Sequence, residues 1–133
     1  MGKKRILVID DEADFTKLIK LNLERTGQYE VKTENKGLLG LATAKEFKPD
    51  LIFLDIIMPD ADGGNVCYQL ENDDETKGIP IVFLTAVVKK EEVEKSKGNI
   101  GGHSFIAKPV SAKELIDCIE KNWVKYSPDR IKF

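Results

Sequence analysis

The protein has 133 residues, of which 41% are hydrophobic and 33% are charged, and this length and balance predict one globular domain. Its net charge of −2 implies no broad basic surface for nucleic acid. No apolar run approaches the length of a membrane span, and the first residues lead into a strand-like run rather than a signal peptide.

In the first half of the chain, short apolar runs alternate with helical patterns. Three runs predict strands: residues 4–10, 29–33 and 50–55. Two stretches have apolar residues at helical spacing and predict helices: residues 13–26 and 37–47. The run from Leu51 to Pro59 is the most apolar in the chain and contains a single carboxylate, Asp55. This pattern predicts a strand that is covered on both faces, as in a parallel sheet.

The second half continues the alternation. Its predicted elements are a helix at 65–72, a strand at 79–85, a turn at 98–102, a strand at 104–107 and a helix that begins with a capping box at Ser111 and runs to Trp123. Residues 89–98 are charged almost throughout and predict a weak helix or a mobile segment. The alternation predicts an α/β fold, in which a five-stranded parallel sheet carries helices on both faces.

Polar residues stand at the ends of four predicted strands. Asp10 and Asp11 follow the first strand, Asp55 ends the third, Thr85 the fourth and Lys108 the fifth. Because parallel strands end at the same edge of a sheet, we expect these side chains to meet there. Three carboxylates in one place repel one another and require a cation, and oxygen ligands favour Mg²⁺.

A metal, a lysine, a hydroxyl and a nucleophilic carboxylate are the components that phosphoryl chemistry requires. The strand-end residues therefore predict a site for an aspartyl phosphate or for a phosphorylated ligand. The sequence alone leaves these two alternatives open.

Five short motifs in order make the prediction more specific. They are Asp10-Asp11, Asp55 with Met58-Pro59, Asp62-Gly63, Thr85-Ala86 and Lys108-Pro109. This set resembles the receiver domain of two-component response regulators, over about residues 4 to 123. The resemblance implies a flavodoxin-like, doubly wound sheet with strand order 2-1-3-4-5 and five helices.

The resemblance also implies a role for each residue of the site. Asp55 would accept a phosphoryl group from a sensor histidine kinase or a histidine phosphotransfer protein. The implied magnesium ligands are Asp10, Asp11, Asp55 and the backbone carbonyl of Ile57. Lys108 would pair with a phosphoryl oxygen. Thr85 and Phe105 would act as the switch pair, and the Lys108-Pro109 bond would be cis.

In this family, the residues two positions after the phosphoacceptor and after the threonine influence attack by water. Here they are Ile57 and Val87, whose apolar side chains cannot hydrogen-bond a water. We therefore predict that the phosphoryl group persists for minutes or longer.

Two other classes of function are alternatives to this one. A phosphatase or transferase of the haloacid-dehalogenase type would have an aspartate two residues after the nucleophile, where this chain has Ile57. A flavin-binding protein would need a phosphate-cradling loop after the first strand, where this chain has Asp10-Asp11-Glu12. Both alternatives fit less well than a phosphoacceptor that is not an enzyme in its own right but assists its own phosphorylation and dephosphorylation.

The remaining expectations concern organisation and partners. Residues 1–125 are predicted to form the receiver domain and residues 126–133 a frayed tail, with no output domain. A homodimer could form through the face around the fourth helix, the fifth strand and the last helix. Cys67 and Cys118 have no disulfide or metal-binding spacing and indicate a reducing, cytoplasmic setting. His103 is expected to be exposed and Trp123 to pack in the core.

Overall fold

The computed structural model of the protein describes residues 2–85, 99–100, 103–108 and 110–126, with side chains in these ranges except at 99–100, 103 and 123–126. None of the helices in these ranges is long and apolar enough to cross a membrane. Predictions at Val87, at Pro109 and for residues 89–98 lie outside the described part of the chain, as do those for the side chains of His103 and Trp123.

The centre of the fold is one sheet. Its strands are β1 (Lys4–Ile9), β2 (Tyr29–Glu34), β3 (Leu51–Asp55), β4 (Ile81–Thr85), β5 (Asn99–Ile100) and β6 (His103–Ala107). The order is β2-β1-β3-β4-β6-β5, and the first five strands of this order are parallel. The predicted order of the five parallel strands is therefore confirmed. The sheet gains a short antiparallel edge, because Asn99–Ile100 pairs with β6 where the sequence predicts only a turn.

Four α-helices lie among the described residues: α1 (Ala13–Glu24), α2 (Gly40–Phe47), α3 (Gly63–Glu71) and α4 (Ala112–Tyr126). A short 3-10 turn at Gly37–Leu39 leads into α2. Helix α3 begins at Gly63 rather than Asn65, because the Asp62 carboxylate caps it by accepting from the Gly64 N–H at 2.9 Å. Tyr126, predicted to open the tail, is still helical, as a helix end read from sequence shifts by a residue or two.

Strand β3 lies between two apolar layers. All five of its residues are buried, as the uninterrupted apolar run predicts. Its side chains alternate between the layers, so that Phe53 packs in the layer with α1 and α4, and Leu54 in the layer with α2 and α3. Burial on both faces fixes the position of Asp55 at the end of the strand.

The free edge of β2 is covered by side chains of α1. Lys20 Nζ donates to the Val31 carbonyl at 2.7 Å, and the Glu24 carboxylate accepts from the Val31 N–H at 3.0 Å. Lys20 and Glu24 also form an ion pair at 2.9 Å. The pair occupies backbone groups that an edge strand would otherwise offer to a second chain.

This arrangement predicts a pH dependence of stability. The Val31 N–H holds the pKa of Glu24 below its ordinary value of 4.5, and Lys20 acts in the same direction. A lowered native-state pKa stabilises the fold above the unfolded value, and this stabilisation is lost as pH falls through the native value. We expect Glu24→Gln to lower the free energy of unfolding near neutral pH, and the difference from the wild type to shrink in acid. Urea unfolding at several pH values measures this difference in the free energy of unfolding. Glu46→Gln is the control, because Glu46 is an exposed carboxylate of α2. A pH-independent difference would contradict the account.

Candidate phosphoryl-transfer site

The site lies at the carboxyl ends of the parallel strands. Ile9 of β1 pairs with Leu54 of β3, so that the next residues, Asp10 and Asp55, emerge side by side. Asp55 in turn pairs with Leu84 of β4. The register of the sheet, rather than any local sequence feature, therefore brings together carboxylates that are far apart along the chain.

Three carboxylates converge at this edge. Asp10, Asp11 and Asp55 each offer an oxygen, and these oxygens all lie within 4.8 Å of one another. Asp10 is 0% exposed and Asp55 6% exposed, whereas Asp11 is half-buried. Two of the three charges are thus withdrawn from water, which is costly unless a cation or hydrogen bonds compensate.

Lys108 is the basic residue of the site. It follows β6, where Ala107 pairs with Thr85, and its backbone N–H donates to the Thr85 carbonyl at 2.9 Å. The Lys108 ammonium lies 2.8 Å from Asp10 Oδ2 and 3.7 Å from Asp55 Oδ2, and its side chain is 13% exposed. The second contact is too long for a hydrogen bond but close enough for electrostatic attraction.

The pKa values of the two buried carboxyls reflect this environment. Burial raises the pKa of Asp55 to about 6, and the charge of Asp10 acts in the same direction, whereas Lys108 and the Ile57 N–H lower it. Burial also raises the pKa of Asp10, because it outweighs the hydrogen bonds from Lys108 and from the Glu12 N–H. Asp55 is still predominantly ionised at neutral pH and can act as a nucleophile.

The pKa of Lys108 is raised. Burial acts to lower it, but the hydrogen bonds to Asp10 and Glu12 and the charges of Asp10 and Asp55 outweigh this effect. Lys108 therefore carries its positive charge throughout the physiological pH range. A permanent cation beside Asp55 is suited to neutralise the oxygens of a phosphoryl group.

The residues present fit a magnesium ion. Asp10 Oδ2 is buried, and the Lys108 ammonium lies 2.8 Å from it. A carboxylate oxygen has two lone pairs, so this contact leaves room for a metal ion as a second partner. The donors of the cluster are all carboxylate oxygens, which hard divalent cations prefer. The Ile57 carbonyl stays a predicted ligand.

The two predicted switch residues lie on adjacent strands. Thr85 is fully buried at the end of β4, next to Leu84, the partner of Asp55. Phe105 of β6 is half-buried and stacks on Phe83, with ring centroids 5.1 Å apart. Thr85 thus lies close to the carboxylates, whereas Phe105 lies two residues before the end of β6 and packs against the apolar layer.

The loop after β3 is held by a close backbone contact. The Gly63 N–H donates to the Ile56 carbonyl at 2.7 Å, and Ile57 forms an isolated bridge with Asp62. This geometry presents the Ile57 N–H to the Asp55 carboxylate and leaves the Ile57 side chain 62% exposed. The apolar Ile57 side chain therefore lies at the surface beside Asp55.

The sequence does not predict a role in the site for two residues that contact Lys108. Glu12 accepts a hydrogen bond from the Lys108 ammonium at 2.8 Å, and the ammonium lies 4.5 Å from the centroid of the Phe15 ring. Phe15 has the spacing of an ordinary core residue, and Glu12 reads as one more charge of an acidic cluster. The long sequence separation between them and Lys108 leaves no local signal for either contact.

Comparison with known proteins identifies the family. The family model described as the response regulator receiver domain matches residues 6–120. The chain is 37% identical over 118 residues to protein PilH of Pseudomonas aeruginosa, across 86% of this chain and 93% of PilH. A solved CheY-like response regulator receiver domain protein from Methanospirillum hungatei has a TM-score of 0.79 and 26% identity, across 96% of this chain and 99% of that one.

Other relatives are longer than the matched region. The chain is 42% identical over 113 residues to PhoP of Bacillus subtilis, the alkaline phosphatase synthesis transcriptional regulatory protein. This match covers 84% of the chain but only 45% of PhoP. The region of likeness is therefore about half the length of such relatives.

Proposed function

The chain belongs to the family of response regulator receiver domains, and we propose that Asp55 is the residue that accepts the phosphoryl group. Receiver domains are phosphorylation-dependent switches of two-component signalling. The observation that supports Asp55 is its setting: a nearly buried carboxylate that lies at the end of β3, beside Asp10, with the Lys108 ammonium 3.7 Å away.

In the proposed transfer, an Asp55 carboxylate oxygen attacks the phosphorus of a phosphohistidine. The new P–O bond forms as the P–N bond breaks, and the imidazole nitrogen keeps the electron pair. Lys108 stabilises the charge on the phosphoryl oxygens, and its backbone is held in place by the Thr85 carbonyl. The chain thereby assists its own phosphorylation and, by the same groups, the loss of the phosphoryl group.

We propose that Asp10, Asp11 and Asp55, with the Ile57 carbonyl, hold Mg²⁺. When bound, the ion would neutralise phosphoryl oxygens during transfer. The convergence of the three carboxylates, two of which are buried, supports this assignment.

Thr85 and Phe105 are proposed as the switch pair. Thr85 would donate its hydroxyl to the phosphoryl group, and Phe105 would change its packing as the strand end moves. A phosphoryl group with its metal then biases a balance between two states of the domain. The stacking of Phe105 on Phe83 supplies a contact that such a change could alter.

The partners follow from the family. The phosphodonor would be a sensor histidine kinase or a histidine phosphotransfer protein in the cytoplasm, and an output protein or domain would read the switch. We also propose a homodimer. It would form through the face around the helix predicted for residues 89–98, the last parallel strand (β6) and α4.

Loading with a small acyl phosphate in the presence of Mg²⁺ tests the phosphoacceptor directly. The wild type should gain the mass of one phosphoryl group, and Asp55→Asn should gain none, because the amide cannot act as the nucleophile. Asp62→Asn, which changes a carboxylate of the same loop, is the matched control and should be labelled. Full labelling of Asp55→Asn would refute the assignment.

The lifetime of the phosphoryl group is a separate prediction. The Ile57 side chain beside Asp55 cannot hydrogen-bond an attacking water, so we expect the label to persist for minutes or longer. Removal of the donor followed by timed mass measurements gives the rate. Ile57→Asn should shorten the lifetime, because an amide can hold a water. Loss of the wild-type label within seconds would contradict the prediction.

A further inference from the structure

Glu12 stands at the start of α1 but does not cap it. It occupies the N-cap position, where serine, threonine, aspartate or asparagine would bond the first turn, and its side chain makes no such bond. The carboxylate extends instead to the Lys108 ammonium at 2.8 Å. The contact joins residues 96 positions apart and is not explained by helix formation.

Two carboxylates already hold the Lys108 ammonium in this state. An ammonium has three donors, and it lies 2.8 Å from both Asp10 and Glu12. Asp55 is farther away, at 3.7 Å. The lysine that should neutralise a phosphoryl group on Asp55 is therefore bound to two other carboxylates.

The two competing carboxylates differ in kind. Asp10 belongs to the buried carboxylate cluster, so that a cation held there would compete with Lys108 for it. Glu12 is outside the cluster, and its side chain is 60% exposed. Its hold on Lys108 would therefore remain when the cluster is neutralised.

We propose that Glu12 is a positioning residue that competes with the phosphoryl group for the ammonium of Lys108. The inference rests on the proposed function, in which Asp55 carries that group. Any phosphoryl oxygen that binds Lys108 must share the ammonium with Glu12 or displace it. Glu12 thus disfavours both the phosphorylated state and the transition state that leads to it. Because the Glu12 carboxylate is largely exposed, we expect an effect of about two- to fivefold.

Glu12→Gln tests the proposal, since glutamine keeps the size of the side chain and removes its charge. Labelling by a small acyl phosphate with saturating Mg²⁺ should be about two- to fivefold faster than in the wild type. Asp14→Asn is the matched control. Asp14 lies in the first turn of the same helix and carries the same charge, but no contact to Lys108 is found for it among the described residues. Its labelling rate should stay close to that of the wild type.

A double-mutant cycle separates action through Lys108 from repulsion of the donor. In a Lys108→Met background, Glu12→Gln should no longer change the labelling rate. The same cycle is measured as the affinity for beryllium trifluoride, a phosphoryl analogue, by fluorine NMR, so that slow labelling of the Lys108 variant does not limit it. A gain that persists without Lys108, or that Asp14→Asn reproduces, would overturn the proposal.

Failure of the inference can be told apart from failure of the proposed function. If the wild type is labelled at Asp55 but Glu12→Gln matches it in rate and in analogue affinity, only the role of Glu12 is refuted. If the wild type is not labelled at Asp55, both are refuted.

Discussion

Gly63→Ala is expected to destabilise the fold by about 1–3 kcal/mol and to abolish labelling of Asp55. A Cβ at this position would lie 2.6 Å from the Ile56 Cα and 2.7 Å from the Ile56 carbonyl oxygen, and it would also meet the Asp55 carbonyl oxygen. All of these atoms belong to backbone that continues directly from β3. The added methyl group can therefore be accommodated only if the backbone of Asp55 and Ile56 moves.

Gly64→Ala is the matched control for this prediction. A Cβ there would have Asp62 Oδ1 as its nearest neighbour at 3.4 Å, an ordinary contact. Because alanine also favours a helix over glycine, the free energy of unfolding should stay within about 1 kcal/mol of the wild type or rise. Urea unfolding and acyl phosphate labelling of both variants measure the two effects. Equal stability of the two variants would show that the close contact at Gly63 does not constrain the loop.

A large effect on labelling or on metal binding is also expected when Mg²⁺, or one carboxylate that would bind it, is removed. We expect chelation of the metal to abolish labelling, and Asp11→Asn to weaken Mg²⁺ binding by at least about tenfold. Asp11 offers an oxygen within 4.8 Å of those of Asp10 and Asp55, and it is the more exposed member of the cluster. Its replacement should therefore disturb the fold less than that of Asp10.

Calorimetric titration with Mg²⁺, without a phosphodonor, measures this affinity independently of phosphoryl transfer. Asp14→Asn provides the control, because Asp14 is a nearby exposed carboxylate outside the cluster. An unchanged affinity in Asp11→Asn would remove Asp11 from the proposed ligand set. Labelling that persists after chelation would refute the role of the metal.

The fold and the convergence of Asp10, Asp11, Asp55 and Lys108 could be predicted because one physical rule connects them. Alternating strands and helices favour a parallel sheet, and the carboxyl ends of parallel strands share an edge. Asp10 and Asp55 then meet through the register of β1 and β3, which needs no local motif. Strong apolar runs indicate where the strands lie, but they do not mark the residue at which each strand ends.

Other features depend on tertiary contacts that leave no periodic signal. The pairing of Asn99–Ile100 with β6 involves only two residues of that strand. So short a strand has a sequence pattern that cannot be distinguished from that of a turn. The start of α3 at Gly63 depends on the Asp62 cap and on the close approach to Ile56. The hydrogen bond between Glu12 and Lys108 joins two parts of the chain that are far apart in sequence. The sequence alone does not indicate which residue of the acidic cluster Lys108 contacts.

The most direct test of the account locates the phosphoryl group on the chain. After loading with a small acyl phosphate and Mg²⁺, borohydride reduces an aspartyl phosphate to homoserine, which peptide sequencing by mass spectrometry can place. One homoserine is expected, at position 55, in the peptide that contains the apolar run from Leu51. Homoserine at position 10 or 11, or a stable label that borohydride does not convert, would contradict it.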